Sequence, residues 1–291
     1  MATLIKGIPL ASERKQYIEE RRAAMNARPG LLIIKTSNDK ASEVYITKKI
    51  QMCQELGISH YVADVGENTS ITHIIKVIQL YNRESWVTGI IVQLPLPKWL
   101  DTPENRELVI EAIDPAKDVD GLTRASKGAM YSGKPTFIPC TALAVMTLIH
   151  SQHSTVSGLN VCVIGRSDLV GRPVAWMCEQ ENATVTMCHS RTRDLVEHTT
   201  KADIIVVATG KPNTLTAQHV RPEQTIIDVG IHRTEEGKLF GDVDFESVEP
   251  IVGAITPVPG GVGPLTVISL MENVVRSMEL RQAKQRGGFY I

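Results

Sequence analysis

The chain has 291 residues, a formal net charge of −1 and 43% apolar residues. With a pI near 6.7 it carries no electrostatic footprint for nucleic acid or an anionic membrane, and no apolar run approaches the ~18 residues of a spanning helix. The opening "MATLIKGIPLASERKQYIEERRAAM" has no apolar signal core, and Glu13, Glu19 and Glu20 argue against a transit peptide. Five cysteines, at positions 53, 140, 162, 178 and 188, lack paired metal-type spacing. They read as reduced thiols of a soluble cytoplasmic protein with no metal site.

Runs of strand length alternate with helical patterns along the chain. "LLIIK" (31–35) reads as a strand, and "ASEVYITKKIQMCQEL" as a helix capped near Ser42. "HYVADV" (60–65), helical "SITHIIKVIQLYN" and "GIIVQL" (89–94) continue the alternation. Crossover helices between strands imply a parallel sheet covered on both faces. "GLTRASKGAMYSGKPTFIPCT" (121–141) breaks the pattern and reads as a passage between two domains, with "ALAVMTLIHSQ" as a connecting helix. A second strand series follows: "NVCVIG" (160–165), "ATVTMC" (183–188), "DIIVVATG" (203–210) and "TIIDVG" (225–230). After "PVPGGVGP" (257–264) comes a long amphipathic helix, "LTVISLMENVVRSMELRQAKQ". With no strand left to cover in the second domain, it is expected to pack on the first. The terminal "RGGFYI" is expected to fray.

"VCVIGRSDLVGRPVAWM" puts Gly165 at a strand end and a helix start near Val170. Such a turn lets backbone approach a phosphate with helix N-terminal amides facing it. The spacing Gly165, Ser167, Gly171 departs from G-x-G-x-x-G, and an ordinary tight turn needs glycine for the same steric reason. About 20 residues on, where a carboxylate would read a ribose hydroxyl, the chain has "CHSRT" instead. Ser190 and Arg191, with Arg166 in the turn, could donate to a 2′-phosphate, which favours NADP. Most arginines, however, are solvated surface charges.

Tyr45 and Lys49 stand four residues apart on one face of their helix. The pair can place an aromatic platform beside an amine that transfers protons once its pKa is lowered. An aromatic core residue one turn from a solvated lysine has the same spacing. Lys48, about 100° round the helix, is expected to point elsewhere. "VQLPLP" sets Gln93 at a strand's C-terminal end, where open α/β sheets place their sites, and "KDVDGL" sets Asp118 and Asp120 in a turn. Gln93 could equally be a satisfied strand-end amide, and the aspartates turn formers.

With "YITKK", "VQLPLP", "KDVDGL", "FIPCTA", "VIGRSDLVGRP", "CHSRT" and "TPVPGGVGPLT" in order, the chain resembles the bifunctional methylenetetrahydrofolate dehydrogenase/cyclohydrolases from about residue 5 to residue 280. The resemblance implies a homodimeric enzyme of one-carbon metabolism. Its reactions would be NADP-dependent oxidation of 5,10-methylenetetrahydrofolate to 5,10-methenyltetrahydrofolate and hydrolysis of that cation to 10-formyltetrahydrofolate. It implies an α/β fold of two domains around a cleft. The first, a folate-binding catalytic domain, spans 1–141 with a C-terminal helix at 265–291, and the second, 142–264, is a Rossmann-like doubly wound parallel sheet for NADP. By the same resemblance Lys49 transfers protons, Tyr45 stacks beside the pterin, Gln93 hydrogen-bonds the lysine and Asp120 grips the amino-pyrimidine edge. Pro259, Gly260 and Gly261 join Tyr45 and Asp120 around the substrate. Gly165, Arg166, Ser167, Gly171, Ser190, Arg191 and Ile231 form the cofactor set. Two stretches depart from the family's usual pattern: "SNDKAS" has Lys40 in place of a proline, and "PCTALAV" lacks the proline and glycine that commonly follow "PCT".

Overall fold

The structure, a computed structural model, describes residues 2–134 and 136–286, the side chains of Lys40 and Ala41 excepted. Most of the expected terminal fray, 287–291, therefore lies outside the described residues. The chain divides into two compact units. One comprises Met1–Glu13 and Thr141–Thr266, the other Arg14–Cys140 and Val267–Ile291.

In chain order, β1 (Thr3–Leu4) and α1 (Gly7–Ala23) precede β2 (Gly30–Lys35), α2 (Lys40–Glu55), β3 (Ser59–Asp64), α3 (Ile71–Asn82), β4 (Gly89–Gln93), α4 (Pro103–Glu111) and α5 (Arg124–Tyr131). Next come α6 (Cys140–Gln152), β5 (Asn160–Ile164), α7 (Gly171–Gln180), β6 (Thr184–Cys188), α8 (Leu195–Thr199), β7 (Ile204–Val207) and β8 (Thr225–Asp228). A hairpin of β9 (His232–Arg233) and β10 (Leu239–Phe240), then α9 (Phe245–Val248), β11 (Ala254–Ile255) and α10 (Val262–Gln285), complete the described chain.

The unit around residues 14–140 holds a parallel three-stranded sheet in the order β3-β2-β4. Central β2 buries Leu31, Leu32, Ile33 and Ile34 completely, as a strand covered on both faces must. The helices start where short polar side chains can accept a first-turn amide: Ser70 from His73 N, Thr102 from Asn105 N and Thr123 from Ser126 N, each at 3.2 Å. The C-terminal carbonyls of α3 are closed by a cation, Lys117, whose Nζ donates to Tyr81 O at 3.2 Å and Asn82 O at 2.7 Å. From Val267 onward α10 belongs to this unit. There Arg21 pairs with Glu279 at 2.6 Å, and Cys53 packs on Met271. The passage at 121–141 does not simply link domains, because it folds α5 and remains in this unit through Cys140.

The other unit is a parallel six-stranded sheet, β1-β11-β8-β7-β5-β6. Residues 1–13, expected in the first domain, belong here. Thr3 N donates to Gly253 O at 2.8 Å and Ile5 N to Ile255 O at 2.9 Å, adding β1 to the edge of β11. Strands of two residues carry no readable period, so sequence pattern reveals neither partner. Because β6 and β7 flank β5 on opposite sides, the winding reverses at β5. Ligands of open α/β sheets bind beyond the strand C-termini at such a point.

The N-cap of α2 is Asp39, not Ser42: its Oδ2 accepts Ser42 N at 2.8 Å. Asp39→Ala is expected to cost about 1 kcal/mol, read as a lower urea midpoint for unfolding of this unit.

Candidate active site

Helix α2 presents Tyr45 and Lys49 half-buried, one turn apart. Lys49 Nζ donates to Gln93 Oε1 at 2.9 Å, and Gln93 Nε2 donates to Leu94 O at 2.9 Å. The second bond fixes which end of the amide faces the lysine, so Gln93 is an oriented acceptor. The Ser42 hydroxyl lies 3.1 Å from Asp39 Oδ2 and 3.3 Å from Leu94 O, holding the start of α2 beside the exit of β4. Lys48 is exposed, but it does not point clear of the pair: its Nζ lies 5.9 Å from the Tyr45 ring centroid.

Burial lowers the Lys49 pKa from the ordinary lysine value, while the Asp120 carboxylate opposes the shift. Burial raises the Asp120 pKa, and Lys49 opposes that. Two cysteines complete the surroundings, neither singled out by the sequence reading. Cys53, one turn beyond Lys49, is completely buried and its thiol is pushed by burial up to about 12. Cys140, from "FIPCTA", is pushed well above the ordinary thiol value, first by burial and then by Asp120. Burial pushes both thiols toward their protonated forms.

The two aspartates of "KDVDGL" divide the tasks that the sequence left open. Asp118 is fully buried and accepts Leu122 N at 3.1 Å, Thr123 N at 2.8 Å and Ser126 Oγ at 2.6 Å; it builds the turn. Asp120 is half-buried, with the Cys140 thiol and Lys49 beside it. The turn is held from behind by Asn273 of α10, whose Nδ2 donates to Val119 O at 2.8 Å and Ile138 O at 3.0 Å. No sequence signal marks Asn273, because its polar group acts on a turn distant in the chain.

In the six-stranded unit the turn after β5 is built on contact between two glycines. Gly165 has φ +128°, and a Cβ there would lie 2.2 Å from Ala208 O; a Cβ on Gly171 would lie 2.1 Å from Gly165 O. Glycine is thus required for the turn and for the approach of α7 to it. Ser167 Oγ accepts Val170 N at 3.2 Å. Gly165 N donates to Cys188 O at 2.9 Å, which brings the turn beside the loop after β6. That loop closes on itself, with His189 N to Thr192 Oγ1 at 2.8 Å and Arg191 N to His189 Nδ1 at 3.1 Å. Arg166, Ser167, Ser190 and Arg191 are all exposed, and neither Arg166 nor Arg191 makes an ion pair among the described residues. Ile231, after β8, is half-exposed. In the "PVPGGVGP" loop Pro259 is exposed, Gly260 O accepts Gly7 N at 2.8 Å, and Gly261 packs against Thr256 and Gly7. At least part of its glycine content therefore serves internal packing.

Two family profiles match the chain: "Tetrahydrofolate dehydrogenase/cyclohydrolase, catalytic domain" over residues 5–120, and "Tetrahydrofolate dehydrogenase/cyclohydrolase, NAD(P)-binding domain" over 139–282. The chain belongs to the tetrahydrofolate dehydrogenase/cyclohydrolase family. It is 46% identical over 285 residues to the bifunctional protein FolD of Burkholderia thailandensis, covering 96% of this chain and 97% of that one. The bifunctional FolD of Campylobacter jejuni superposes with a TM-score of 0.91 at 38% identity, over 97% and 100% of the two chains. The Trypanosoma brucei dehydrogenase-cyclohydrolase, solved with NADP cofactor and an inhibitor, gives 0.89 at 31%, over 97% and 98%. As a member of this family the chain is a bifunctional dehydrogenase and cyclohydrolase of tetrahydrofolate derivatives. Tyr45, Lys49, Gln93 and Asp120 fall in the matched catalytic segment, and Gly165 to Arg191 in the NAD(P)-binding one. The second match runs to residue 282, although α10 belongs to the three-stranded unit from Val267.

Asn273→Leu keeps the side-chain volume but leaves the Val119 and Ile138 carbonyls unpaired, at about 1–3 kcal/mol for a buried group. It is expected to lower the urea midpoint for unfolding, because the turn bearing Asp120 loosens.

Proposed function

We propose that this enzyme oxidises 5,10-methylenetetrahydrofolate with NADP and hydrolyses the resulting 5,10-methenyltetrahydrofolate to 10-formyltetrahydrofolate, with Lys49 carrying the protons of the hydrolysis. The observation that supports this most directly is the Lys49–Gln93 hydrogen bond on a lysine whose pKa is lowered by burial. An amine nearer neutrality accepts a proton from attacking water and returns it to the ring nitrogen as the bridge opens. A neutral amine also avoids placing a second positive charge beside the methenyl cation. Gln93 aims the amine. Tyr45 offers flat apolar area to the pterin, and Asp120 accepts the donors of its amino-pyrimidine edge.

The residues of the six-stranded unit fit NADP. Gly165 and Gly171 allow the tight strand–turn–helix contact of the kind beside which open α/β sheets hold a dinucleotide pyrophosphate. Arg166, Ser190 and Arg191 stand exposed on two adjacent loops where a 2′-phosphate can be bound. Ser167 and Ile231 belong to the same set of holding residues, while Pro259, Gly260 and Gly261 are assigned to the substrate. NADP, when bound, supplies the hydride acceptor for the oxidation.

The chain acts as a homodimer in the cytoplasm. β6 leaves the outer edge of the six-stranded sheet unpaired among the described residues, and all five cysteines are buried and unbridged, as a reducing compartment allows. Among the described residues no helix is long and apolar enough to cross a membrane. Sedimentation at micromolar concentration is expected to give twice the 32.0 kDa chain mass; a monomer there counts against the dimer.

Lys49→Met is expected to abolish hydrolysis while sparing part of the oxidation, so that methenyltetrahydrofolate accumulates when methylenetetrahydrofolate and NADP are supplied. Full hydrolysis by this variant would remove Lys49 from the role. In the wild type, hydrolysis is expected to rise with pH as Lys49 loses its proton, with a midpoint below the ordinary lysine value of 10.5.

Arg191→Ala and Arg166→Ala each remove a charge-assisted contact of about 1.5–3 kcal/mol, roughly ten- to hundredfold in affinity. Titration is expected to show this loss for NADP and little change for NAD; equal losses for both would place the reading of the 2′-phosphate elsewhere.

A further inference from the structure

Behind the proposed cofactor loops lies a carboxylate that none of the sequence motifs singles out. Asp242 is completely buried between the segments that follow β7 and β8. Its Oδ2 accepts Thr209 N at 2.6 Å, Thr209 Oγ1 at 2.9 Å and Gly210 N at 2.9 Å. Its Oδ1 lies 2.7 Å from His232 Nε2. The backbone of the same residue accepts Thr214 N at 2.8 Å and donates to Asp228 Oδ1 at 2.9 Å. The loop after β7 is thereby fixed near both ends by one residue. The loop after β8 is fixed at His232 and at Gly230, whose amide donates to Asp228 Oδ1 at 2.9 Å. Gly230 also approaches so closely that a Cβ would lie 2.2 Å from Asp242 Oδ1.

These loops are well placed to form walls of the nucleotide site. The winding of the sheet reverses at β5, so the crevice beyond its C-terminus is bounded by the segments after β5 and β7. Gly165 rests against Ala208, immediately before the anchored Thr209. Ile231 stands between Gly230 and His232, both held by the Asp228–Asp242 pair of residues. Three donors converge on a single carboxylate oxygen, and removing it leaves two backbone amides and a hydroxyl without that acceptor. Buried amides in that state pull a loop toward water.

We propose that Asp242 is a positioning residue of the cofactor site, setting NADP affinity through the Thr209–Gly210 and Ile231–His232 segments without itself touching the dinucleotide. The inference rests on the reading that NADP occupies this unit. NADP binding by the full-length chain is measured by calorimetric titration, and methenyltetrahydrofolate hydrolysis is followed without NADP. D242A is expected to raise Kd for NADP about tenfold or more, with hydrolysis little changed. D242N keeps an amide oxygen for Thr209 and Gly210 and turns its nitrogen toward His232, which can accept as the other tautomer; it is expected to restore most of the affinity. A control lies at the opposite, N-terminal ends of the strands of the same sheet, where Asp203 accepts Asn160 N at 2.9 Å and Arg221 Nη2 at 3.1 Å. D203A is expected to lower Tm with Kd unchanged.

If D242A binds NADP as tightly as wild type, or loses hydrolysis in parallel with binding, Asp242 has no specific role at this site. Should D242A not fold, T209V removes only the hydroxyl's part of the anchor and is expected to weaken NADP severalfold; unchanged affinity there overturns the inference as well. A wild-type chain that binds no NADP would instead overturn the cofactor reading, and this inference with it.

Discussion

An amine proposed to carry protons must be held away from bulk water and still be aimed, and for Lys49 both conditions meet in the bond from its Nζ to Gln93 Oε1. A lysine on a free helix face would stay protonated and mobile. Here α2 is started by Asp39, tied to the exit of β4 by Ser42, and carries one turn beyond Lys49 a buried thiol, Cys53, that burial pushes up to about 12. The acceptor is fixed in turn by the Leu94 carbonyl. The lowered lysine pKa follows from burial in this setting, with Asp120 opposing the shift.

In the proposed reading the six-stranded unit answers a different demand, a phosphate-bearing cofactor held beyond the strand C-termini. It meets that demand with backbone more than side chains. Gly165 and Gly171 bring strand, turn and helix into contact at distances no Cβ permits. The charged groups stand further out, on loops that close through their own hydrogen bonds and leave Arg166 and Arg191 available. Cofactor preference can therefore change at the loop tips without disturbing the sheet beneath.

Much of this was legible in the sequence wherever burial imposes a period. The runs at 31–35, 89–94, 160–165 and 225–230 coincide with strands because both faces of a parallel sheet demand apolar residues. Tyr45, Lys49 and Gln93 could be placed on a helix face and a strand end, although spacing alone could not distinguish a site from a solvated surface. Their roles came from the resemblance of whole motifs. Ser42 was a plausible cap, but Asp39 accepts the amide, a choice between two short polar residues that local sequence does not decide. Strand β1, Asn273 and Asp242 were invisible for a common reason. Each acts on a segment far away in the chain, and a single polar residue or a two-residue strand carries no pattern pointing to its partner.

The path of the chain has a consequence for synthesis. Neither unit is encoded as one continuous stretch: the six-stranded sheet takes its edge strand from Thr3–Leu4, and the three-stranded unit takes its closing helix from residues after Val267. On the ribosome the first strand is made long before β11 exists to receive it, while the turn bearing Asp120 waits for Asn273, which lies 154 residues beyond Val119. A cut near residue 140 would therefore yield two incomplete halves, not two independent domains. Co-expressed fragments would have to exchange their terminal pieces before either unit was whole.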